Sequence, residues 1–157
     1  MKATVYIETS IVSYLTARPS RDLVETAHQR ITRRWWRRRG DFALFVSELV
    51  FREAAAGDSK AARRRLKAIA SLPLLDVSDE AAEIAEELVR LRALPQVALV
   101  DAFHIGVAAV HGIDYLLTWN CKHIANATMR GRIESICRSK GVDPPTICTP
   151  EELAKER

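Results

Sequence analysis

The chain has 157 residues, of which 48% are hydrophobic and 28% are charged, and its formal net charge is +4. This length predicts one compact domain over residues 1–157 and excludes two ordinary domains, while the composition excludes a disordered chain. No apolar stretch reaches the roughly 20 residues that span a bilayer and the start lacks a signal-peptide pattern, so we expect a cytoplasmic protein that does not enter membranes.

The first half of the chain predicts alternating strands and helices. Alternating β-branched and aromatic residues predict a strand over residues 3–7, and the polar cluster Glu8, Thr9 and Ser10 predicts a helix that begins near Ile11. The next predicted elements are a long basic helix over 22–39, a strand over 42–46, a helix capped by Ser47 and ending near Gly57, and a helix over 60–70.

The second half continues the alternation. Its predicted elements are a strand over 74–77, a helix over 78–92, a nearly apolar helix over 100–110, a strand over 115–118, a helix over 129–140, a strand over 146–148 and a short surface helix over 151–157. Because strands joined by helices form right-handed crossovers, this order predicts the α/β class, with a parallel sheet covered by helices on both faces.

Three carboxylates and one amide are predicted near the carboxyl edge of this sheet, where open α/β sheets bind ligands. Glu8 follows the first strand, Glu53 lies beside the apolar face of the third predicted helix, and Asn120 follows the strand over 115–118. Asp101 interrupts an apolar helix, so a cation or a strong hydrogen-bond donor should face it. Such oxygen clusters suit Mg²⁺ or Mn²⁺ and the hydrolysis of phosphodiesters.

Glu8 and several other polar residues of these segments also have a structural interpretation. Glu8 has the position of a helix cap. His104, one turn after Asp101, is interpreted as a hydrogen-bonded core residue that supports the acidic site. His123 is interpreted as structural rather than as a metal ligand, because hard cations prefer oxygen. Glu48 is assigned to a first helical turn, and Asp114 to the opposite edge of the sheet.

Three sequence blocks resemble a known family: YIETS, VSELVFREAAAGD and DAFHIGVAAVHGIDYLLTWNCKHIANA. They are similar to the PIN domain in its VapC-like toxin branch, and the resemblance runs from Val5 to Pro150. It implies a three-layer α/β/α sandwich with a central parallel sheet of four to five strands. It also implies a Mg²⁺- or Mn²⁺-dependent endoribonuclease, usually held inactive by a cognate antitoxin protein and often a homodimer.

The resemblance assigns four core positions of the metal site and two flanking hydroxyl residues, which are Glu8, Glu53, Asp101 and Asn120, with Thr9 and Ser10 beside them. Two core positions depart from the family, which generally has aspartate after the first strand and an acidic residue at the position of Asn120. Glu8 reaches about 1.5 Å further than an aspartate. Asn120 keeps an oxygen but removes a negative charge, which weakens the hold on a divalent ion and on a second ion above all.

The segment ITRRWWRRRG carries arginines and two tryptophans within the second predicted helix. One interpretation is an RNA-binding surface, whose candidate substrate-binding residues are Arg33, Arg34, Arg37 and Arg38. The other is that Trp35 or Trp36 packs into the core or a dimer interface, while the arginines face solvent or an acidic antitoxin. Both interpretations stay open on the sequence.

Two main functions compete. The first is an RNA-cleaving toxin whose metal is held by the three carboxylates and assisted by Asn120. The second is a binding module for RNA or a protein, in which the two departures from the family pattern have abolished metal chemistry. A metal-dependent DNA or flap nuclease shares the acidic site, but the absence of an additional DNA-binding domain in this sequence disfavours it.

Overall fold

The computed structural model of the protein describes residues 1–154. Within these residues the five strands are β1 (Thr4–Ile7), β2 (Ala43–Ser47), β3 (Leu74–Leu75), β4 (Tyr115–Leu117) and β5 (Thr146–Cys148). The seven helices of the same part of the chain are α1 (Thr9–Thr16), α2 (Leu23–Trp36), α3 (Glu48–Ala54), α4 (Ser59–Ile69), α5 (Asp79–Arg90), α6 (Leu99–Val110) and α7 (Ala127–Ser139). None of these helices is both long enough and apolar enough to cross a membrane.

The strands form a parallel sheet in the order β3-β2-β1-β4-β5. β1 lies at its centre, where Val5 is opposite Leu44 on one side and Tyr115 on the other. The side chains of Val5, Tyr6 and Ile7 are fully buried, as expected for a parallel strand with helices on both faces of its sheet. The predicted three-layer α/β/α sandwich with a parallel sheet of four to five strands is confirmed.

Polar side chains cap the first turns of most helices. Side-chain oxygens accept hydrogen bonds from first-turn N–H groups at five helices, and they belong to Glu8, Asp22, Asp58, Ser78 and Asn126. Ser47 precedes α3, but its side chain makes no capping bond, so the predicted cap is wrong. Its hydroxyl instead lies 2.7 Å from the buried hydroxyl of Tyr6 and gives that hydroxyl a hydrogen-bond partner.

The basic helix ends earlier than the prediction of 22–39. α2 ends at Trp36, and Arg39–Asp41 form a separate 3₁₀ turn. Trp35 is only 4% exposed and stacks on Phe42, with ring centroids 5.6 Å apart. Because Phe42 leads directly into β2, this packing requires the chain to leave the helix before it enters the sheet.

Two further elements each end two residues earlier than predicted. The strand expected over 74–77 contains only Leu74–Leu75, at the edge of the sheet, where one neighbour supplies all its pairing. The helix expected over 78–92 ends at Arg90, because Arg92 adopts a left-handed conformation with φ of 58°. The following N–H, of Ala93, then donates back to the carbonyl of Leu88 at 2.8 Å and closes the helix end.

The C-terminal tail does not form the predicted helix over the part that is described. Residues 151–153 form a hydrogen-bonded turn, in which the Leu153 N–H donates to the Thr149 carbonyl at 3.1 Å. The Glu152 carboxylate also accepts from the Thr149 N–H at 2.8 Å, which favours this single turn. The rest of that prediction, residues 155–157, lies outside the described residues.

Close packing of α5 against α6 depends on Gly106. A Cβ atom added to Gly106 would lie 2.5 Å from the carbonyl oxygen of Ala81, which is itself fully buried in α5. α6 carries both Asp101 and His104. The contact at Gly106 therefore helps to set where these two side chains lie relative to the sheet.

Gly106→Ala is expected to destabilise the protein by about 1–3 kcal/mol, because backbone atoms must move apart to admit the methyl group. For a domain of this size, each kcal/mol lowers Tm by about 2–4 °C, which thermal unfolding followed by circular dichroism would measure. Gly131→Ala in α7 is the matched control, since a Cβ there meets nothing within 4 Å. The control should gain roughly 0.5–1 kcal/mol from helix propensity, and equal effects at both sites would contradict the packing argument.

Candidate active site

The segments that follow β1 and β4 meet at one edge of the sheet. The Glu8 N–H donates to the Leu117 carbonyl at 3.1 Å, and the Thr118 N–H donates to the Cys148 carbonyl at 3.0 Å. Hydrogen bonding between the strands therefore continues one residue past both β1 and β4. Because the strands are parallel, Glu8 and Asn120 lie at the same carboxyl edge, as the sequence predicted.

Glu8 is a buried carboxylate at the start of α1. Its side chain is only 4% exposed, and Oε2 accepts from the Ser10 N–H at 2.6 Å, so the capping interpretation holds. Burial raises the pKa of the Glu8 carboxyl above its usual range, and the charge of Glu53 adds to this rise. His104 and the Ser10 bond oppose it. A buried acid whose charged form is disfavoured gains from any cation placed beside it.

Glu53, near the end of α3, faces the same edge. Its Oε1 accepts from the Thr9 hydroxyl at 2.7 Å and lies 2.6 Å from Nε2 of His104. Burial acts to raise the pKa of the Glu53 carboxyl, but the bonds from His104 and Thr9 outweigh it, and the pKa is lowered. Glu53 is therefore ionised at neutral pH, and its side chain is 38% exposed.

His104 is fully buried and connects Glu53 to the interior of the sheet. Its Nδ1 lies 2.6 Å from the Tyr6 hydroxyl, which in turn lies 2.7 Å from the Ser47 hydroxyl. Burial raises the pKa of Tyr6 far above its usual range, so Tyr6 keeps its proton. The predicted hydrogen-bonded core histidine matches this arrangement. Tyr6 and Ser47 were missed, although two polar groups within β1 and β2 were a signal for them.

Asp101 lies in the first turn of α6 and contacts His123. Its Oδ2 is 3.2 Å from Nδ1 of His123, and the two side chains are 19% and 17% exposed. Asn120 joins the pair, because its Oδ1 accepts from the His123 N–H at 3.0 Å. The ring that faces Asp101 is thus that of His123, which can donate to the carboxylate when Nδ1 carries a proton and which the sequence suggested only as a structural residue.

The Ser10 hydroxyl links α1 to the segment after β4 through hydrogen bonds. The Trp119 N–H donates to the Ser10 hydroxyl at 2.8 Å, and that hydroxyl lies 3.4 Å from the Thr118 hydroxyl. Thr118 is fully buried and accepts from the Asn120 N–H at 2.9 Å. These bonds fix the backbone of Asn120 relative to Glu8, which begins the same helical turn as Ser10.

The four predicted core residues form two neighbouring pairs. Glu8 and Glu53 lie close enough for their charges to interact, and His123 contacts both Asp101 and Asn120. The donors are hard oxygens and fit Mg²⁺ or Mn²⁺ in kind. Within residues 1–154, however, no three side chains of histidine, cysteine, aspartate or glutamate are grouped so that they could hold one ion.

Two other acidic residues have structural roles, as the sequence indicated. The Asp114 carboxylate accepts from the Thr4 N–H at 2.8 Å and the Thr4 hydroxyl at 3.0 Å, at the amino edge of the sheet. Glu48 pairs with Arg52 at 2.8 Å on the exposed side of α3. Asp114 thus lies at the edge opposite Glu8, and Glu48 is an exposed residue paired on its own helix.

The four predicted substrate-binding arginines are in different environments. Arg33 donates to the Ala17 carbonyl at 2.9 Å and so caps the end of α1, and Arg38 lies 3.6 Å from Asp41. Arg34, Arg37 and Arg38 are exposed, and Arg33 is half-buried. Of the two interpretations of this segment, packing holds for Trp35, which is buried in the core and offers no face to a base.

An aromatic cluster joins α2 to the residues beside Asn120. The indole N–H of Trp119 donates to the buried hydroxyl of Thr32 at 2.7 Å. The ring of His28 stacks on Trp119 with centroids 3.9 Å apart, and Tyr14 packs edge-on against both. The basic helix is thus fixed against the candidate site, a contact between distant segments that no sequence period signalled.

Comparisons with known proteins agree with this geometry. A family model of the PIN domain matches residues 5–127. Among solved structures, the chain is similar to a chain of VapBC2 from Rickettsia felis, solved bound to a DNA fragment from its promoter. That similarity has a TM-score of 0.59 and 14% sequence identity, and it covers 93% of this chain and 98% of the other. A comparison with curated proteins gave no match.

Proposed function

The chain belongs to the PIN domain family, and from this premise we propose that it is a metal-dependent endoribonuclease and the toxin of a type II toxin-antitoxin pair. PIN domains are generally nucleases that use divalent metals. The observation that supports the proposal is that oxygen donors from four separate segments, Glu8, Glu53, Asp101 and Asn120, lie toward the carboxyl edge of the sheet.

In the proposed site, Glu8, Glu53, Asp101 and Asn120 would hold Mg²⁺ or Mn²⁺. When bound, such an ion would supply positive charge for phosphate oxygens and a lower pKa for a bound water. Among the supporting residues, Thr9 and His104 orient Glu53, and Ser10 fixes the backbone that carries Asn120. Since Asn120 brings no charge, we expect one ion to bind more tightly than a second.

The RNA strand is proposed to reach the site along α2. The proposed phosphate contacts are made by Arg33, Arg34, Arg37 and Arg38, of which the last three are exposed on α2 and the residues that follow it. The single domain over residues 1–157 would act in the cytoplasm. The VapBC2 name of the similar structure supports a cognate antitoxin as partner, and a homodimer is part of the same proposal.

One observation favours the alternative of a binding module without catalysis. Both Asp101 and Glu53 already contact histidines, and no three acidic or histidine side chains within residues 1–154 are grouped around one point. If the site does not bind metal, the exposed arginines of α2 would still bind RNA through its phosphates.

The test of the proposed function is cleavage of a mixed pool of structured RNAs by purified, antitoxin-free protein. We expect cleavage with Mn²⁺ or Mg²⁺ and none with EDTA. In parallel, thermal unfolding with Mn²⁺ should show stabilisation of about 2.7 kcal/mol at 100 times Kd, since the ion binds only the folded chain. Folded protein that neither cleaves RNA nor responds to either metal would be the binding module.

A further inference from the structure

Three aromatic rings from three separate segments meet beside Asn120. The rings of His28 and Trp119 stack with their centroids 3.9 Å apart and their planes 13° apart. The ring of Tyr14 has its centroid 5.3 Å from that of His28 and 6.3 Å from that of Trp119, at 84° and 72° to their planes. These three distances place Tyr14 to the side of the stacked pair, so Tyr14 covers neither outer face of the stack.

Hydrogen bonds hold Trp119 in this position. Its backbone N–H donates to the Ser10 hydroxyl at 2.8 Å, and its indole N–H donates to the buried Thr32 hydroxyl at 2.7 Å. Nδ1 of His28 has no hydrogen-bond partner within residues 1–154, so stacking on Trp119, rather than a bond at this nitrogen, orients the His28 ring. A stack built on a fixed indole loses little freedom when another flat group joins it.

The cluster differs from the aromatic residues of the core in its exposure. Trp35 is 4% exposed and stacks on Phe42, whereas Tyr14, His28 and Trp119 are each half-buried. A contact that only joined α2 to the sheet edge would gain most from complete burial of its rings, because the hydrophobic gain follows the area removed from water. The cluster instead keeps part of its aromatic surface in solvent, where a further flat group can pack against it.

The charges near the cluster favour a nucleobase over a phosphate group. Burial raises the pKa of the Tyr14 hydroxyl, and the charges of Glu25 and Asp22 add to this rise. Two carboxylates this close disfavour a phosphate, whereas an uncharged base stacks readily on aromatic rings. The exposed Arg34 and Arg37 lie towards the other end of α2, where phosphates are favoured instead.

We propose that Tyr14, His28 and Trp119 form a stacking site for one unpaired base of a single-stranded RNA. This inference rests on the proposed function, in which RNA is the substrate. Trp119 directly precedes Asn120, so a base held by the cluster brings the strand to the sheet edge that carries Asn120. The contact carries little sequence preference, because every base has a flat aromatic face.

The first measurement is RNA binding in EDTA, where no metal-dependent cleavage occurs. Fluorescence anisotropy compares a short labelled single-stranded RNA of mixed sequence with an abasic strand that has the same number of phosphates. We expect the protein to bind the intact strand about 10-fold more tightly than the abasic strand. Equal affinity for the two strands, or no binding of the intact strand, would overturn the proposal.

The second measurement compares His28→Leu with His28→Phe, which keeps a ring at the same position. His28→Leu should weaken binding of the intact strand by about 10-fold and leave binding of the abasic strand unchanged. His28→Phe should bind both strands as the wild type does, and circular dichroism checks that both variants fold. The same loss in both variants, or an equal loss for both strands in His28→Leu, would refute a stacking role for residue 28.

The third measurement uses the wild-type protein and so does not depend on the stability of a variant. Nuclear magnetic resonance follows the indole N–H signals of the tryptophans while each strand is added in EDTA. The Trp119 signal should shift with the intact strand and not with the abasic strand, and the signal of the buried Trp35 should shift with neither. A shift at Trp36 without one at Trp119 would place the base at the arginine-rich end of α2 and refute the site.

These measurements separate the stacking site from the proposed function, because none of them needs a metal ion. A protein that cleaves RNA with Mn²⁺ but binds both strands equally in EDTA would keep the nuclease and refute the stacking site. A protein that cleaves no RNA, yet binds the intact strand more tightly and shows the shift at Trp119, would refute the nuclease and keep the stacking site.

Discussion

Asp101→Asn is expected to lower the rate of metal-dependent RNA cleavage by about 10³-fold, equivalent to about 4 kcal/mol of transition-state stabilisation. The substitution keeps the shape of the side chain and an oxygen for His123, which lies 3.2 Å away. It removes a charge that would attract a divalent ion, beside Asn120, which supplies only a neutral amide. The rate is measured on a labelled RNA under single-turnover conditions with Mn²⁺.

The control for this variant is Asp114→Asn, the same change at the opposite edge of the same sheet. The Asp114 carboxylate only accepts bonds from Thr4, and an asparagine oxygen can still accept them. Its cleavage rate should remain within about twofold of wild type, a change of less than 0.5 kcal/mol. If both variants cleave as fast as wild type, catalysis does not use the edge that holds Glu8 and Asp101.

The sequence was sufficient to predict which segments meet at the site. Strands and helices alternate along the chain, and parallel strands bring their carboxyl ends to one edge, so Glu8 and Asn120 had to lie there together. The buried setting of Asp101 likewise required a strong donor beside it, without saying which residue that donor would be.

The partners of these residues could not be predicted from the sequence. Tyr6 and His104 are 98 residues apart, and Asp101 and His123 are 22 apart, so neither pair falls on a helical or strand repeat. Such contacts depend on how α6 lies across the sheet, which is set by packing such as the approach of Gly106 to α5.

The C-terminal boundary of α2 could not be predicted from the sequence either, because it depends on packing in the core. The arginine-rich pattern has high helix propensity up to residue 39, yet the helix ends at Trp36. The stacking of Trp35 on Phe42, a contact between the helix and the entry to β2, overrides propensity. The same contact excludes Trp35 from stacking on RNA, because its ring is buried.

Glu8→Gln is expected to stabilise the metal-free protein at neutral pH while abolishing its stabilisation by Mn²⁺. Glutamine keeps an oxygen that can accept from the Ser10 N–H, and it removes a charge from a side chain that is only 4% exposed. The order of the two Tm values, of Glu8→Gln and of the wild type, should therefore reverse when Mn²⁺ is added. The variant should have the higher Tm without metal, and the wild type the higher Tm with saturating metal.

The pH dependence of the stability of the two metal-free proteins tests whether the buried Glu8 carboxyl causes the difference in Tm. Burial raises the pKa of Glu8, so as pH rises above the usual carboxyl range of about 4.3 the unfolded chain loses this proton before the folded chain does. The contribution of Glu8 to stability is then present at low pH and lost as pH rises through its folded pKa. The advantage of Glu8→Gln should accordingly grow from about pH 4 towards neutral pH.

Glu48→Gln is the matched control, because Glu48 is exposed and its ion pair within residues 1–154 is with Arg52 on the surface of α3. Exposed pairs contribute about 0–1 kcal/mol, so this variant should show little change in Tm, little dependence on pH and a normal response to Mn²⁺. A Glu8→Gln protein that behaves like this control would mean that the buried carboxylate serves α1 as a cap alone. A crossover at Glu8 and none at Glu48 would instead show that the fold keeps a destabilising charge where a cation is needed.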